Sequence, residues 1–226
     1  MSWIVSFYRS SIGKKAVMAV TGFFLFGWIF LHMVGNLKVY LGADHYNDYA
    51  AFLITMGAPL LPASFALIIV RTLLLIAVYL HIDSATRLTI MNQQARPVGY
   101  RLRTYPAATY AARTMRWGGV IILLFVIYHL LHLTFGILHP DFNTKGDVYH
   151  NLVVGFQVWW VSAFYIIANL ALGLHLYHGL WSMFNSLGLN HPNLNPWKKV
   201  FATAFALIVT IGNISFPVAV MTGVLR

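Results

Sequence analysis

Five long runs of apolar residues, separated by polar connections, dominate the pattern along the chain. Each run approaches the roughly 20 residues that an α-helix needs to cross a bilayer. The second and fifth runs follow prolines, which are favoured at helix starts. The pattern predicts five transmembrane helices, at about 16–38, 63–86, 117–138, 157–184 and 200–223.

The composition agrees with a membrane protein. Of the 226 residues, 59% are hydrophobic and 9% are charged, whereas a soluble domain carries about a quarter charged residues. Lipid must therefore cover much of the surface, and we predict an all-α membrane protein with a single transmembrane domain over 1–226. The formal charge of +10 does not indicate a nucleic-acid partner, because almost no soluble face is left to carry a basic patch.

The basic residues lie mainly on one side of the predicted helices. They occupy the N-terminus, the second connection and the fourth connection: Arg9, Lys14, Lys15, Arg87, Arg96, Arg101, Arg103, Arg113, Arg116, Lys198 and Lys199. The positive-inside rule then predicts a cytoplasmic N-terminus and an external C-terminus. Between the first two spans, residues 44–56 predict a short amphipathic helix at the membrane interface.

Histidines within the apolar runs are the candidate functional residues. The chain has ten histidines and no cysteine, and ionisable side chains inside a membrane span are costly and usually functional. A single such histidine is often only a polar contact between helices. A set distributed over four successive spans favours a shared role: His32, His81, His129, His132, His175 and His178.

The depth of these histidines sorts them into two layers. At about 1.5 Å per residue, His32 lies about 25 Å beyond Lys15 and His129 about 20 Å beyond Arg116, both toward the outer side. His81 lies about 9 Å from Arg87, and His175 comes late in a helix that runs inward, so both belong to the inner side. The sequence therefore predicts an outer pair, His32 with His129, and an inner pair, His81 with His175.

Two histidines at one depth on different helices are what bis-imidazole haem ligation requires. Zinc usually takes three or four ligands in one place, and the absence of cysteine excludes thiolate-ligated and c-type haem. We predict a helix bundle that encloses two b-type haems. Helix periodicity does not choose between His129 and His132, or between His175 and His178, because each couple lies three residues apart on one face.

Short motifs around these histidines resemble a known family. They are SSIGKK before the first span, FLHMVGN, VYLHI, FVIYHLL and LGLHLYHGLWSMF, and they cover nearly the whole chain. Together they are similar to the cytochrome b subunit of succinate dehydrogenases and fumarate reductases, in its single-chain, dihaem, five-helix form. The resemblance implies one haem ligand from each of the first four spans. The pattern H-x-x-x-G-L-W selects His175 over His178, and the FVIY run selects His129 over His132.

The resemblance also implies cofactors and partners. A flavoprotein with FAD and an iron–sulfur protein would dock on the cytoplasmic side of a bacterial cell membrane, and higher oligomers of the complex are common. This subunit would not oxidise succinate itself but would pass electrons through two haem b groups to a quinone, with menaquinone implied. The connection 87–116 and the N-terminal segment are our candidates for the docking surface, although topology alone also explains the arginines of the connection. The chain has no glutamate, so a transmembrane glutamate for proton transfer, found in some members, is not expected.

Several polar residues have weaker assignments. Arg71 would pair with a propionate of the outer haem or extend to the interface. His132 and His178 would bond a propionate, a quinone or a neighbouring helix. His45, Asp48 and Tyr49 would bind quinone, the alternative being a solvated interfacial helix.

Three other functions stay open at this stage. One is the dihaem cytochrome b of a formate dehydrogenase, nitrate reductase or hydrogenase. The second is a haem-free transporter with a histidine proton relay, and the third is a structural anchor without haem.

Overall fold

The computed structural model describes residues 2–95 and 110–226, and that part of the chain is all-helical. Its α-helices are α1 (Trp3–Arg9), α2 (Ser11–Asn36), α3 (Ala43–Thr55), α4 (Phe65–Gln94), α5 (Tyr110–His129), α6 (Val148–Gln157), α7 (Trp159–Ser186) and α8 (Asn195–Met221). A 3-10 turn over Leu37–Leu41 extends α2, and a π-helical turn over Leu130–Thr134 extends α5.

The prediction of five membrane-spanning helices is confirmed. Within the described residues, the helical segments that are long and apolar enough to cross a membrane are Ser11–Leu41, Phe65–Gln94, Tyr110–Thr134, Trp159–Ser186 and Asn195–Met221. The predicted helix over 44–56 corresponds to α3. Arg96, Arg101 and Arg103 of the candidate docking connection lie outside the described residues, whereas its remaining arginines belong to α4 and α5.

The helix ends differ from the predicted ones for local reasons. The first span begins five residues early because the side chain of Ser10 caps the backbone N–H of Gly13, so that Lys14 lies inside the helix. The third span ends early, before Gly136, whose φ of +69° is incompatible with a continuing right-handed helix.

Two helices were not predicted, α1 and α6. The second of these is capped by Asp147, whose carboxylate accepts a hydrogen bond from the backbone N–H of His150 at 3.0 Å. It is apolar and ends at Val158, which adopts an extended conformation directly before α7. At ten residues this helix is too short to cross a bilayer, so it is not among the predicted spans.

The closely packed helix pairs place α7 at the centre of the bundle. This helix packs against α8, α5 and α2, and α2 also packs against α4. Glycines permit some of these contacts, since a Cβ on Gly173 would clash with Thr210 of α8 and one on Gly212 would clash with Met33 of α2. Small residues do this in membrane bundles, where tight packing replaces the hydrophobic effect between helices.

A part-buried ion pair joins α2 to α4 at one end of the bundle. The Lys14 side chain is 2% exposed, and its ammonium lies 3.0 Å from Asp83 Oδ2, which also accepts a hydrogen bond from the Tyr8 hydroxyl at 3.1 Å. The other oxygen of Asp83 accepts a hydrogen bond from Arg87 at 2.7 Å. These contacts fix the register between the two helices.

Candidate functional site

The first pair of histidines lies between α2 and α5. The imidazole rings of His32 and His129 have centres 5.9 Å apart and planes at 89°. The second pair lies between α4 and α7, where the rings of His81 and His175 have centres 6.4 Å apart and planes at 56°. Each histidine pair therefore joins two packed pairs of helices, with one histidine from α2 or α4 and the other from α5 or α7.

Both separations match one iron held between two imidazoles. A metal–imidazole bond is about 2 Å long, so two of them on opposite faces of one iron put the ring centres about 6 Å apart. The donor set is also suitable, because neutral imidazole is a common haem ligand. No group of three or more metal-binding side chains is found within the described residues. The residues present therefore fit two bis-histidine haems.

Thr21 of α2 orients His81. Its hydroxyl lies 3.1 Å from His81 Nδ1 and donates its single proton to the Val17 carbonyl at 2.7 Å. A hydroxyl that donates to the Val17 carbonyl accepts at the imidazole, and the tautomer of His81 that matches this contact carries its proton on Nδ1. That tautomer leaves Nε2 of His81 with a free lone pair for a metal.

Tyr165 of α7 has the corresponding position at His129. Its hydroxyl lies 3.3 Å from His129 Nδ1 and 3.0 Å from His132 Nδ1. Tyr165 is 4% exposed, so these contacts are shielded from solvent. As at His81, the nitrogen engaged by the protein is Nδ1, and Nε2 of His129 is not engaged by this contact.

His32 differs from the other paired histidines. Asn36, one turn later on α2, approaches its Nε2 at 3.2 Å, and the Tyr46 hydroxyl donates to Asn36 Oδ1 at 3.0 Å. Iron ligation by His32 therefore has to use Nδ1, or the ring has to rotate and release Asn36. Burial, followed by the nearby Tyr49, raises the pKa of Tyr46 to about 12, so this phenol stays a neutral donor.

His132 faces away from the outer pair. It is 0% exposed, and its ring stacks on His139 with centres 5.0 Å apart and on Tyr128 with centres 5.6 Å apart. A Cβ on Gly155 of α6 would lie 2.8 Å from His132 Cε1, so the glycine allows this packing. The geometry therefore brings His129, and not His132, to His32. On α7, His175 meets His81, and His178 is half-buried one turn further on.

The weaker candidates are not brought into either pair. Arg71 is exposed on α4, and His45 and Asp48 are exposed on α3. Tyr49 is half-buried against α2, where a Cβ on Gly35 would come within 2.9 Å of its ring. Their roles toward a propionate or a quinone stay predictions.

Sequence reasoning missed the residues that orient the histidines. Thr21, Asn36, Tyr46 and Tyr165 are common residue types in membrane helices, and their hydrogen bonds depend on helix rotation. A usable signal existed for Thr21, because a polar residue 11 positions before His32 on α2 lies at the expected depth of the inner pair.

Comparisons of the chain with protein-family models, curated proteins and solved structures gave no match.

Proposed function

We propose that the chain is a dihaem membrane cytochrome b that carries electrons between two levels of a bilayer. The observation that carries this proposal is the presence of two histidine pairs, each with ring centres about one bis-imidazole iron apart. A histidine proton relay is the competing function, and it predicts a purified chain without haem absorbance.

The chain's own residues hold and separate the two centres. His81 and His175 would ligate the inner haem, and His32 and His129 the outer one. Thr21, which contacts His81, precedes His32 by about 16 Å along α2, so the two pairs lie at different depths. When bound, each haem supplies a reversible one-electron carrier.

We further propose that this cytochrome is the membrane anchor of a succinate:quinone oxidoreductase. The support is the set of motifs around the histidines, which resemble that family over nearly the whole chain. In that role a flavoprotein with FAD and an iron–sulfur protein supply electrons at the inner haem. The chain then reduces a quinone, by family resemblance menaquinone, in a bacterial cell membrane, and it is the quinone-reacting subunit rather than the site of succinate oxidation.

Orientation and the quinone site follow from the same proposal. The Lys14–Asp83–Arg87 contacts lie at the end of the bundle that carries the basic residues, so we assign that end, with the N-terminus, to the cytoplasm. His45, Asp48 and Tyr49 are the candidates for the quinone on the outer side. Their helix is tied to the outer pair through the hydrogen bond from Tyr46 to Asn36.

Two measurements on the protein purified in mild detergent test the proposal. The reduced-minus-oxidised spectrum and a haem assay are expected to show two b-type haems per chain. A chain without haem absorbance would refute the cytochrome and favour a transporter or a structural anchor. Co-purification is expected to yield a flavoprotein and an iron–sulfur protein, and partners with formate dehydrogenase, nitrate reductase or hydrogenase activity would refute the succinate assignment.

A further inference from the structure

Tyr165 lies between two imidazoles that the proposed function treats differently. Its hydroxyl contacts Nδ1 of both His129, an assigned ligand, and His132, which no step above requires. Tyr165 and His132 are both buried, at 4% and 0% exposure. Burial of a polar side chain costs free energy unless the side chain is hydrogen-bonded. The contacts of Tyr165 therefore call for a role in the fold or the function.

The proton positions in this triad have one consistent order. An imidazole that binds a metal through Nε2 carries its proton on Nδ1, so His129 donates to the Tyr165 oxygen. A phenol has one proton, and with its oxygen accepting from His129 it donates that proton to His132 Nδ1. His132 must then carry its own proton on Nε2. The chain of donors therefore runs from His129 through Tyr165 to His132.

The surroundings of His132 hold its ring in the orientation that this order needs. The ring is stacked between His139 and Tyr128, at 24° and 21° to their planes. Gly155 covers one edge, where a Cβ would lie 3.0 Å from His132 Nε2. Within the described residues, that Nε2 has no hydrogen-bond partner. Packing, rather than a second hydrogen bond, therefore keeps Nδ1 of His132 aimed at Tyr165.

We infer that Tyr165 and His132 are positioning residues for the outer haem, which act through the ligand His129. The inference rests on the proposed function. A hydrogen bond from the distal N–H of a ligating imidazole to an acceptor fixes the ring and raises its basicity. A more basic ligand favours the oxidised iron. This contact thus lowers the potential of the outer haem, while the inner haem has Thr21 as its separate partner.

The test is a redox titration of the purified full chain carrying Tyr165→Phe, with the two haems resolved by their absorbance and by the low-spin ferric signals in electron paramagnetic resonance. Loss of the acceptor is expected to favour the reduced outer haem by up to about tenfold, which is about 59 mV for a one-electron couple. The outer ferric signal is expected to shift, and the inner haem is expected to keep its potential and signal.

Tyr128→Phe is the matched control. It removes the same hydroxyl from a tyrosine whose ring packs against both His132 and Tyr165, and within the described residues the Tyr128 hydroxyl is buried without a hydrogen-bond partner. No change in either potential is expected. An outer haem with the wild-type potential and signal in Tyr165→Phe would overturn the inference, and so would an equal shift in Tyr128→Phe.

Substitution of His132 keeps the inference testable if Tyr165→Phe does not assemble. His132→Asn retains a side-chain oxygen near the position of Nδ1 and is expected to stay near the wild-type potential, whereas His132→Leu is expected to shift in the same direction as Tyr165→Phe. Identical potentials in His132→Asn and His132→Leu would contradict the inference. Failure of the proposed function itself would be distinct, because the wild-type chain would then carry no pair of b-type haems to titrate.

Discussion

Replacement of Asp83 by asparagine is expected to destabilise the bundle strongly. Asp83→Asn keeps the size of the side chain but removes the negative charge that neutralises Lys14, which is 2% exposed and 3.0 Å away. Breaking a buried ion pair by removing one partner costs about 3–5 kcal/mol, because the remaining charge is left uncompensated. Tyr8 also loses its charged acceptor. Because the pair is only part-buried, with the Asp83 side chain 16% exposed, the expected loss in the free energy of unfolding lies below that range, at about 1–3 kcal/mol.

The assay is unfolding in mixed micelles with increasing SDS, followed by circular dichroism of the helices. Arg87→Ala is the control, because it removes the other partner of Asp83 but its side chain is 61% exposed, and exposed ion pairs contribute little. The double variant Lys14→Met with Asp83→Leu is expected to recover most of the lost stability, since neither charge is then left unpaired. Equal, small losses for Asp83→Asn and Arg87→Ala would refute the reasoning.

Two further predictions concern Thr21, which contacts His81, and Asp147, which caps the N-terminus of α6. Thr21→Val removes the hydroxyl that accepts from His81 and is expected to weaken binding of the inner haem about tenfold, as measured by haem retention on dilution. The control is Thr72→Val, which removes a hydroxyl that donates to the Ile68 carbonyl within α4, and it is expected to have no effect. Equal haem retention in the two variants would contradict the role of Thr21. The His150 backbone N–H, followed by the Asn47 amide, holds the pKa of Asp147 below its ordinary value, so its carboxylate stabilises α6 above a pH of about 4 and loses this contribution as the pH falls. Asp147→Asn keeps a capping oxygen but does not titrate. As the pH falls from about 7 to about 3, the melting temperatures of the wild type and this variant are therefore expected to converge. A difference in melting temperature that stays constant over this range would contradict the assignment.

The features that could be predicted from sequence are those that lipid imposes on the chain. A span has to be apolar over its whole length, so the five helices are visible as runs, and the direction of each run converts sequence position into depth. This was enough to predict which histidines share a level. It also explains why α6 was not predicted, because a ten-residue helix is too short to cross a bilayer and is not required to be apolar over its whole length.

The contacts that orient the histidines could not be predicted in the same way. Depth does not give the rotation of a helix about its axis, so the hydrogen bonds of Thr21 and Tyr165 had no signature in the apolar pattern. His129 and His132 have different surroundings because the π-helical turn over Leu130–Thr134 follows His129 directly and because Gly155 leaves room for the His132 ring. Both are local backbone features rather than properties of residue type.

Haem content in matched histidine variants tests the assignment of the four ligands most directly. His129→Leu and His175→Leu are each expected to leave one haem b per chain, whereas His132→Leu and His178→Leu, one turn away on the same helices, are expected to keep two. The double variant of His81 and His175 is expected to retain the outer haem alone. Two haems per chain after the loss of both His81 and His175 would contradict the bis-histidine assignment.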